Sequence, residues 1–183
     1  EDPIESTFTY DLNLNRVLQI TDPLNRVTDY HYDVLGNLSM LEQPEVDSVR
    51  PTFNISVNTR GQITSVTGPE GFSKSHTYDP VTAEQLTTTI DPTGLNITTT
   101  YAYDSVGNVS LLTDPRSNST SFDYNDNRQL TGTTSAAPFN YQTLFEYDSD
   151  GNSIQLKRET GVPAEPWQTY SADYLSGGLV NSI

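Results

Sequence analysis

The sequence repeats one short unit, and this repeat constrains the fold more than any other feature. A Tyr-Asp pair, two further residues and a Gly-Asn pair occupy residues 103–108, and related copies recur about every 21 to 27 residues. The other copies begin at Tyr10, Tyr32, Tyr78, Tyr124 and Tyr147, with degenerate copies at Val57 and Tyr174. A fixed short period is typical of repeat architectures, in which each unit packs only on its neighbours. We predict one array of seven to eight units over residues 1–183.

Each unit contains a strand that ends in the motif tyrosine. Ile97, Thr99, Tyr101 and Tyr103 alternate with other residues, which places them on one face of a strand. Only 33% of the residues are apolar, but 11 Tyr, 6 Phe and many Thr favour pleated sheet. The pattern predicts an all-β fold of tandem hairpins that form a continuous, curved antiparallel sheet.

A turn follows each Tyr-Asp pair, and a second strand follows the turn. Glycine occupies a turn position, because it adopts a positive φ at little energetic cost. Neighbouring Asp and Asn side chains can bond to nearby backbone. The second strands end at Asp-Pro or Gly-Pro pairs, because proline lacks the N–H that a ladder needs. In these strands the apolar residues lie three apart, as at Val109 and Leu112. Either both faces of the sheet are partly covered or a bulge intervenes.

The motif residues are therefore candidate structural residues. Cross-strand packing is the preferred role for the tyrosines, and stacking on sugar rings is the alternative. The predicted structural set is Tyr10, Asp11, Tyr32, Asp33, Gly36, Asn37, Tyr78, Asp79, Tyr103, Asp104, Gly107, Asn108, Tyr147, Asp148, Gly151 and Asn152.

Composition argues against several classes of function. The net charge of −15 repels nucleic acid and anionic membranes, and no apolar run is long enough to span a membrane. The absence of cysteine excludes disulfides and thiolate chemistry. His31 and His76 have no evident catalytic partner in the sequence. Asp148 begins a stretch that resembles a calcium loop, with Glu159 at its twelfth position, but a repeat turn is the preferred interpretation. We predict no enzyme and no catalytic, cofactor or metal site.

These motifs resemble the YD repeats of the Rhs and teneurin-like family. The resemblance extends over nearly the whole chain and is closest at residues 32–43, 78–94 and 103–115. It implies a long β-sheet ribbon that coils into a hollow shell, used by bacteria to enclose a toxic segment and by animal relatives in adhesion. The self-cleaving core of that family has no counterpart here, so neither its protease function nor a toxin is carried over.

The resemblance favours a structural segment, a shell wall or stalk, of a secreted or cell-surface protein. The N-terminus has neither an initiator Met nor a signal segment, which suggests excision from a longer polypeptide. The expected partner is the rest of that polypeptide.

The first alternative is a self-assembling fibre. Residues 6–10 read as a lone closing strand and residues 178–183 as a lone opening strand, so identical subunits could pair head to tail. The second alternative is a carbohydrate-binding adhesin, with Trp167 beside the irregular segment 161–166 as the candidate glycan contact.

Overall fold

The computed structural model describes residues 5–174 and 180–182, which form strands, turns and one short 3-10 turn at Pro69–Gly71. Within these residues no α-helix occurs. The strands are β1 (Thr7–Asp11), β2 (Arg16–Thr21), β3 (Val27–Tyr32), β4 (Leu38–Glu42), β5 (Thr52–Val57), β6 (Ile63–Thr67), β7 (Ser73–Tyr78), β8 (Gln85–Ile90), β9 (Ile97–Tyr103), β10 (Val109–Thr113), β11 (Ser119–Tyr124), β12 (Leu130–Thr134), β13 (Gln142–Tyr147), β14 (Ser153–Glu159), β15 (Trp167–Ser171), β16 (Asp173–Tyr174) and β17 (Val180–Ser182).

Strands β1 to β15 form one open sheet whose spatial order is the order of the chain. Neighbouring strands are antiparallel, as short turns require. The predicted all-β class and antiparallel hairpin array are confirmed. Strands β16 and β17 form a separate two-stranded sheet. The opening strand predicted at 178–183 is β17 in part, and residues 178, 179 and 183 lie outside the described residues.

The chain divides into two compact units. The first comprises residues 1–78 and 87–97, and the second comprises residues 79–86 and 98–183. The first contains β1 to β7 and the second contains β10 to β17, while β8 and β9 have residues in both. The single array over residues 1–183 stays a prediction.

A β-bulge resolves the irregular apolar spacing of the second strands. Tyr103 pairs with Val109, but the preceding Ala102 pairs with Leu111, so Ser110 is an extra residue. The extra residue brings Val109 and Leu112 onto the same face although they are three apart. Equivalent register shifts occur in the hairpins β1–β2, β3–β4, β5–β6, β11–β12 and β13–β14.

The registers place aromatic and aliphatic residues on one face of the sheet in each unit. In the first unit Tyr30, Leu41 and Phe53 form one cross-strand row. In the second unit Phe145, Leu156 and Tyr170 form another. We call this the aromatic face. No apolar side chain among the described residues is buried, so the face is only partly covered by its own neighbours.

The opposite face of this sheet carries the carboxylates of strands β1 to β15. Asp29 and Glu42 pair with each other across the strands. Because strand positions alternate between faces, they lie on the face opposite to that of Tyr30 and Leu41. All carboxylates of strands β1 to β15 follow this rule: Asp11, Asp29, Glu42, Asp123, Glu146 and Glu159. We call this the acidic face.

Candidate functional site

The repeat turn is held by the side chain of its first residue. Asp33 Oδ1 accepts hydrogen bonds from the backbone N–H groups of Leu35 and Asn37, both at 2.8 Å. Its Oδ2 accepts a bond from Asn37 Nδ2 at 3.0 Å. The Gly36 N–H donates to the Asp33 carbonyl, and Gly36 has φ of 80°. Glycine is the residue that adopts this conformation at no steric cost.

The same turn recurs at both ends of the hairpins, which sequence reasoning missed. Asp104 with Asn108 and Asp148 with Asn152 repeat it in the Tyr-Asp turns. Asp114 with Asn118 repeats it in an Asp-Pro turn, where Ser117 takes the positive φ in place of glycine. The available signal is an Asp or Asn followed four residues later by Asn, Gln or Arg.

These bonds stabilise the charged form of the aspartates. The side-chain bond from Asn37 and the backbone bonds of the turn lower the pKa of Asp33. The corresponding asparagines lower the pKa of Asp104, Asp114 and Asp148 in the same way. Hydrogen bonds donated to a carboxylate favour ionisation.

Four motif tyrosines join their repeat to the preceding one. Tyr32 in β3 donates its hydroxyl proton to the Val17 carbonyl of the adjacent strand β2 at 2.8 Å. Three further tyrosines make the equivalent bond: Tyr78 to Ile63 at 2.7 Å, Tyr103 to Gln85 at 2.8 Å and Tyr147 to Leu130 at 2.8 Å. Each acceptor directly follows the turn of the preceding repeat. The hydroxyl groups therefore have a structural role, because their hydrogen bonds join successive hairpins.

The turn glycines form a second set of contacts between repeats. A Cβ on Gly36 would lie 3.1 Å from the Arg16 guanidinium, which also sits 5.3 Å from the centre of the Tyr32 ring. A Cβ on Gly107 would lie 3.1 Å from Glu84 Oε1. Arg16 and Glu84 each close the turn of the preceding repeat. The turns thus pack in a row along one edge within each unit.

The remaining predicted structural residues lie in variant turns. Asp11 Oδ1 accepts bonds from the N–H groups of Asn13 and Leu14, beside Tyr10 in β1. Asp79 Oδ1 accepts bonds from Val81 and Thr82 in a turn that is one residue longer.

The other residues singled out in the sequence lie apart from one another. His31 Nε2 lies 3.5 Å from Glu42 Oε2 on the acidic face. His76 Nδ1 lies 3.0 Å from Thr88 Oγ1, and partial burial together with Lys74 lowers its pKa. Glu159 accepts a bond from the Gln142 N–H at 3.0 Å, while the Asp148 carboxylate binds its own turn. Across residues 5–174 and 180–182 no cluster of three potential metal ligands occurs.

Trp167 lies near two irregular loops of the second unit. It occupies the start of β15 on the acidic face, where it pairs with Glu159 of β14, and it is 38% exposed. The loop that precedes it approaches the loop 135–141, because Gly161 packs against the Tyr141 hydroxyl. Tyr141 stacks on Phe139, with ring centres 5.4 Å apart and an angle of 19°. Phe139 is 66% exposed, so the outer side of this stack is open.

The fold and the repeat turn define a tandem β-hairpin repeat protein. The family model RHS Repeat matches residues 10–44 and 103–139. The resemblance to the Rhs/YD-repeat family is therefore confirmed at these two places in the chain.

Solved structures of TcdB2-TccC3 share this fold. The complex TcdB2-TccC3-Cdc42 gives a TM-score of 0.79 at 18% identity and covers 96% of this chain. TcdB2-TccC3 gives 0.78 at 18% over 95%, and the form without the hypervariable C-terminal region gives 0.79 at 17% over 97%. This chain spans 10% of the length of each of these structures. A comparison with curated proteins gives no match. Among the described residues no helix has the length and apolarity to span a membrane.

Proposed function

We propose that this chain is a non-enzymatic wall segment of a larger secreted or cell-surface polypeptide. The observation that carries the proposal is the two-faced sheet without a buried core. Its aromatic face contains no strand carboxylate, although the chain has 24 acidic residues. A sheet face rich in Tyr and Phe is stabilised when it is shielded from bulk water, and an acidic face is well solvated.

The context of the similar structures supports the same role. RHS repeats match at two places, and the fold corresponds to one tenth of much longer chains. The contacts between successive repeats suit a wall, because four of the hairpins are bonded to the preceding one through tyrosine hydroxyls. In this proposal the partner of the chain is the rest of its own polypeptide.

Cryo-electron microscopy of the parent polypeptide tests the proposal. The expected map shows this sheet continuous with further hairpins, with Tyr30 and Phe145 facing the enclosed side. A map in which the aromatic face points to bulk solvent, or in which the sheet stands apart from other hairpins, overturns the proposal.

A fibre is a second candidate, and the exposed edge of the sheet favours it. Strand β1 lies at the edge, and the rings of Phe8 and Tyr10 stack 6.5 Å apart while half exposed. Electron microscopy of the purified chain at several concentrations, beside a form lacking residues 179–183, separates the two roles. Filaments that disappear on truncation support a fibre, whereas monomers in both samples contradict it.

A carbohydrate-binding adhesin is a third candidate, favoured by the exposed aromatic rings of Phe139, Tyr141 and Trp167. Aromatic faces offer apolar area beside polar groups. A glycan array with the wild-type chain and with Trp167→Ala and Phe139→Ala tests it. Binding that falls in these variants supports the adhesin, and an array without binding removes it.

A further inference from the structure

A small hairpin projects from the first unit between β4 and β5. Val46 and Val49 exchange both backbone hydrogen bonds, at 2.8 and 2.9 Å. Asp47 and Ser48 between them have φ of 49° and 65°, the geometry of a two-residue hairpin turn. They are the only consecutive pair of non-glycine residues with positive φ within the described part of the chain. We call residues 43–51 the tip hairpin.

The base of the tip hairpin is rigidly anchored by Arg50. Its Nη1 donates to Asp29 Oδ2 at 2.6 Å and to Glu42 Oε2 at 3.1 Å. Its Nη2 donates to the Val27 carbonyl at 3.2 Å, and its Nε donates to the Gln43 carbonyl at 3.2 Å. A guanidinium that donates to two carboxylates and to backbone carbonyls fixes geometry as well as charge. The tip hairpin is therefore held in place before any partner binds.

The tip of this hairpin combines exposed aliphatic groups with unpaired negative charge. Val46 is 61% exposed and Val49 is 65% exposed, and their cross-strand pairing sets them side by side. Glu45 and Asp47 flank them, and neither makes an ion pair with any described residue. A groove of about 520 Å³ runs beside the hairpin, lined by Gln19, Asn25, Arg26, Val27, Asp29, Pro44, Glu45 and Arg50.

Charge determines the kind of partner that fits this surface. Arg26 is paired with Asp22, and Arg50 is paired with Asp29 and Glu42. Together with Glu45 and Asp47, this surface has five carboxylates and two guanidinium groups, so its formal charge is −3. A lysine or arginine side chain can pack its aliphatic stem on the valines and place its charge beside the carboxylates.

We propose that the tip hairpin and its groove form a docking surface for a protein segment in which lysine or arginine alternates with aliphatic residues. Preorganisation reduces the entropic cost of binding, because the partner meets a hairpin that is already ordered. The tip hairpin lies beyond the matched repeat at residues 10–44, apart from its first two residues, whereas most of the groove is lined by residues within that repeat. It is distinct from the aromatic face on which the proposed wall function rests.

Binding of the full 183-residue chain to a synthetic peptide tests the proposal. The probe is an acetylated and amidated hexapeptide of alternating Lys and Val. Its binding to the ¹⁵N-labelled chain is followed by nuclear magnetic resonance. The expected result is saturable shifts of the amides of residues 45–49. Control peptides in which Glu replaces Lys, or Ser replaces Val, are expected to bind at least about fivefold more weakly.

Matched variants separate a specific surface from diffuse attraction to an acidic chain. Glu45→Gln/Asp47→Asn and Val46→Ser/Val49→Ser should each weaken binding about fivefold. Glu70→Gln/Asp126→Asn has the same net charge as the first pair and should leave the dissociation constant unchanged. Equal weakening by both charge variants, no effect of the valine changes, or no binding at all overturns the proposal.

Discussion

At the scale of single residues, the repeat turn is a pairing of two side chains four positions apart. Where the first residue is Asp, the partner is Asn, as in Asp33 with Asn37, or Arg, as in Asp22 with Arg26. Where the first residue is Asn, the partner is Gln, as in Asn58 with Gln62 and Asn125 with Gln129, at 2.9 Å in both cases. A carboxylate needs an N–H donor, whereas an amide can offer both groups to another amide. The substitutions that blur the motif therefore preserve its bonding.

The aspartate turns make stability depend on acidity. The pKa of Asp33, Asp104 and Asp148 lies below the ordinary value of 3.8. Their contribution is fully present above that value and is lost as the pH falls through the lowered values. Thermal melts from pH 6 to pH 2 are expected to show a falling midpoint below about pH 4. The triple variant Asp33→Asn/Asp104→Asn/Asp148→Asn should show a smaller fall, and an unchanged pH profile would contradict this account.

The tyrosine hydroxyls should contribute measurably to stability. Tyr32→Phe or Tyr147→Phe removes the bond to a strand carbonyl of the preceding repeat and should cost about 1 kcal/mol in urea unfolding. Tyr124 is the matched control, because its hydroxyl makes no hydrogen bond with the described residues. Tyr124→Phe should change stability by less than about 0.5 kcal/mol. Equal effects at all three positions would show that the hydroxyl bond to the strand carbonyl is not the source of the stabilisation.

At the scale of elements, the hairpin with its bulge is the unit that sorts side chains between faces. The alternation in first strands such as β9 could be predicted from sequence, because the period of two is uninterrupted there. In β10 the extra Ser110 breaks the period, and only the register with β9 shows that Val109 and Leu112 share a face. Bulges depend on pairing between strands, so a single strand sequence does not reveal them.

The contacts between turns were equally inaccessible to sequence reasoning. The motif identified Gly36 and Gly107 as turn residues, because a positive φ is a local property. It could not show that Arg16 and Glu84 lie against them, since those contacts arise from the stacking of successive hairpins. From the sequence, Trp167 is a candidate glycan contact because it is the single tryptophan and lies beside an irregular segment. Its place on the acidic face follows only from its pairing with Glu159.

Substitution of a turn glycine tests this stacking. Gly107→Ala and Gly71→Ala both force alanine to adopt a φ of 80° or more, which should cost about 1–2 kcal/mol each. Gly71 has open space around it, whereas Gly107 faces Glu84, which Thr82 holds through a bond of 2.9 Å. Gly107→Ala should therefore cost about 1 kcal/mol more than Gly71→Ala in chemical unfolding. Adding Glu84→Ala should remove the excess, and persistence of the excess would contradict the proposed contact.

At the scale of the whole molecule, stability is distributed along the sheet. No apolar side chain among the described residues is buried, and cross-strand pairs each contribute about 0.2–1 kcal/mol. In such an array stability approximates a sum of terms within repeats and between neighbours. A disturbance at one position should therefore weaken only the strands next to it, unlike a change in a shared core.

Truncation with hydrogen exchange measures this distribution directly. A chain that ends at residue 159 lacks β15, which is bonded to β14 and pairs with it from Gln155 to Glu159. Protection of β13 and β14 should fall, because β14 becomes an edge strand and Leu156 loses Tyr170 as its cross-strand neighbour. Protection of β3 to β6 should change by less than about 0.5 kcal/mol, since those strands share no partner with β15. A uniform loss of protection would mean that the sheet unfolds as one cooperative unit, and the account of stability as a sum of neighbour terms would then be wrong.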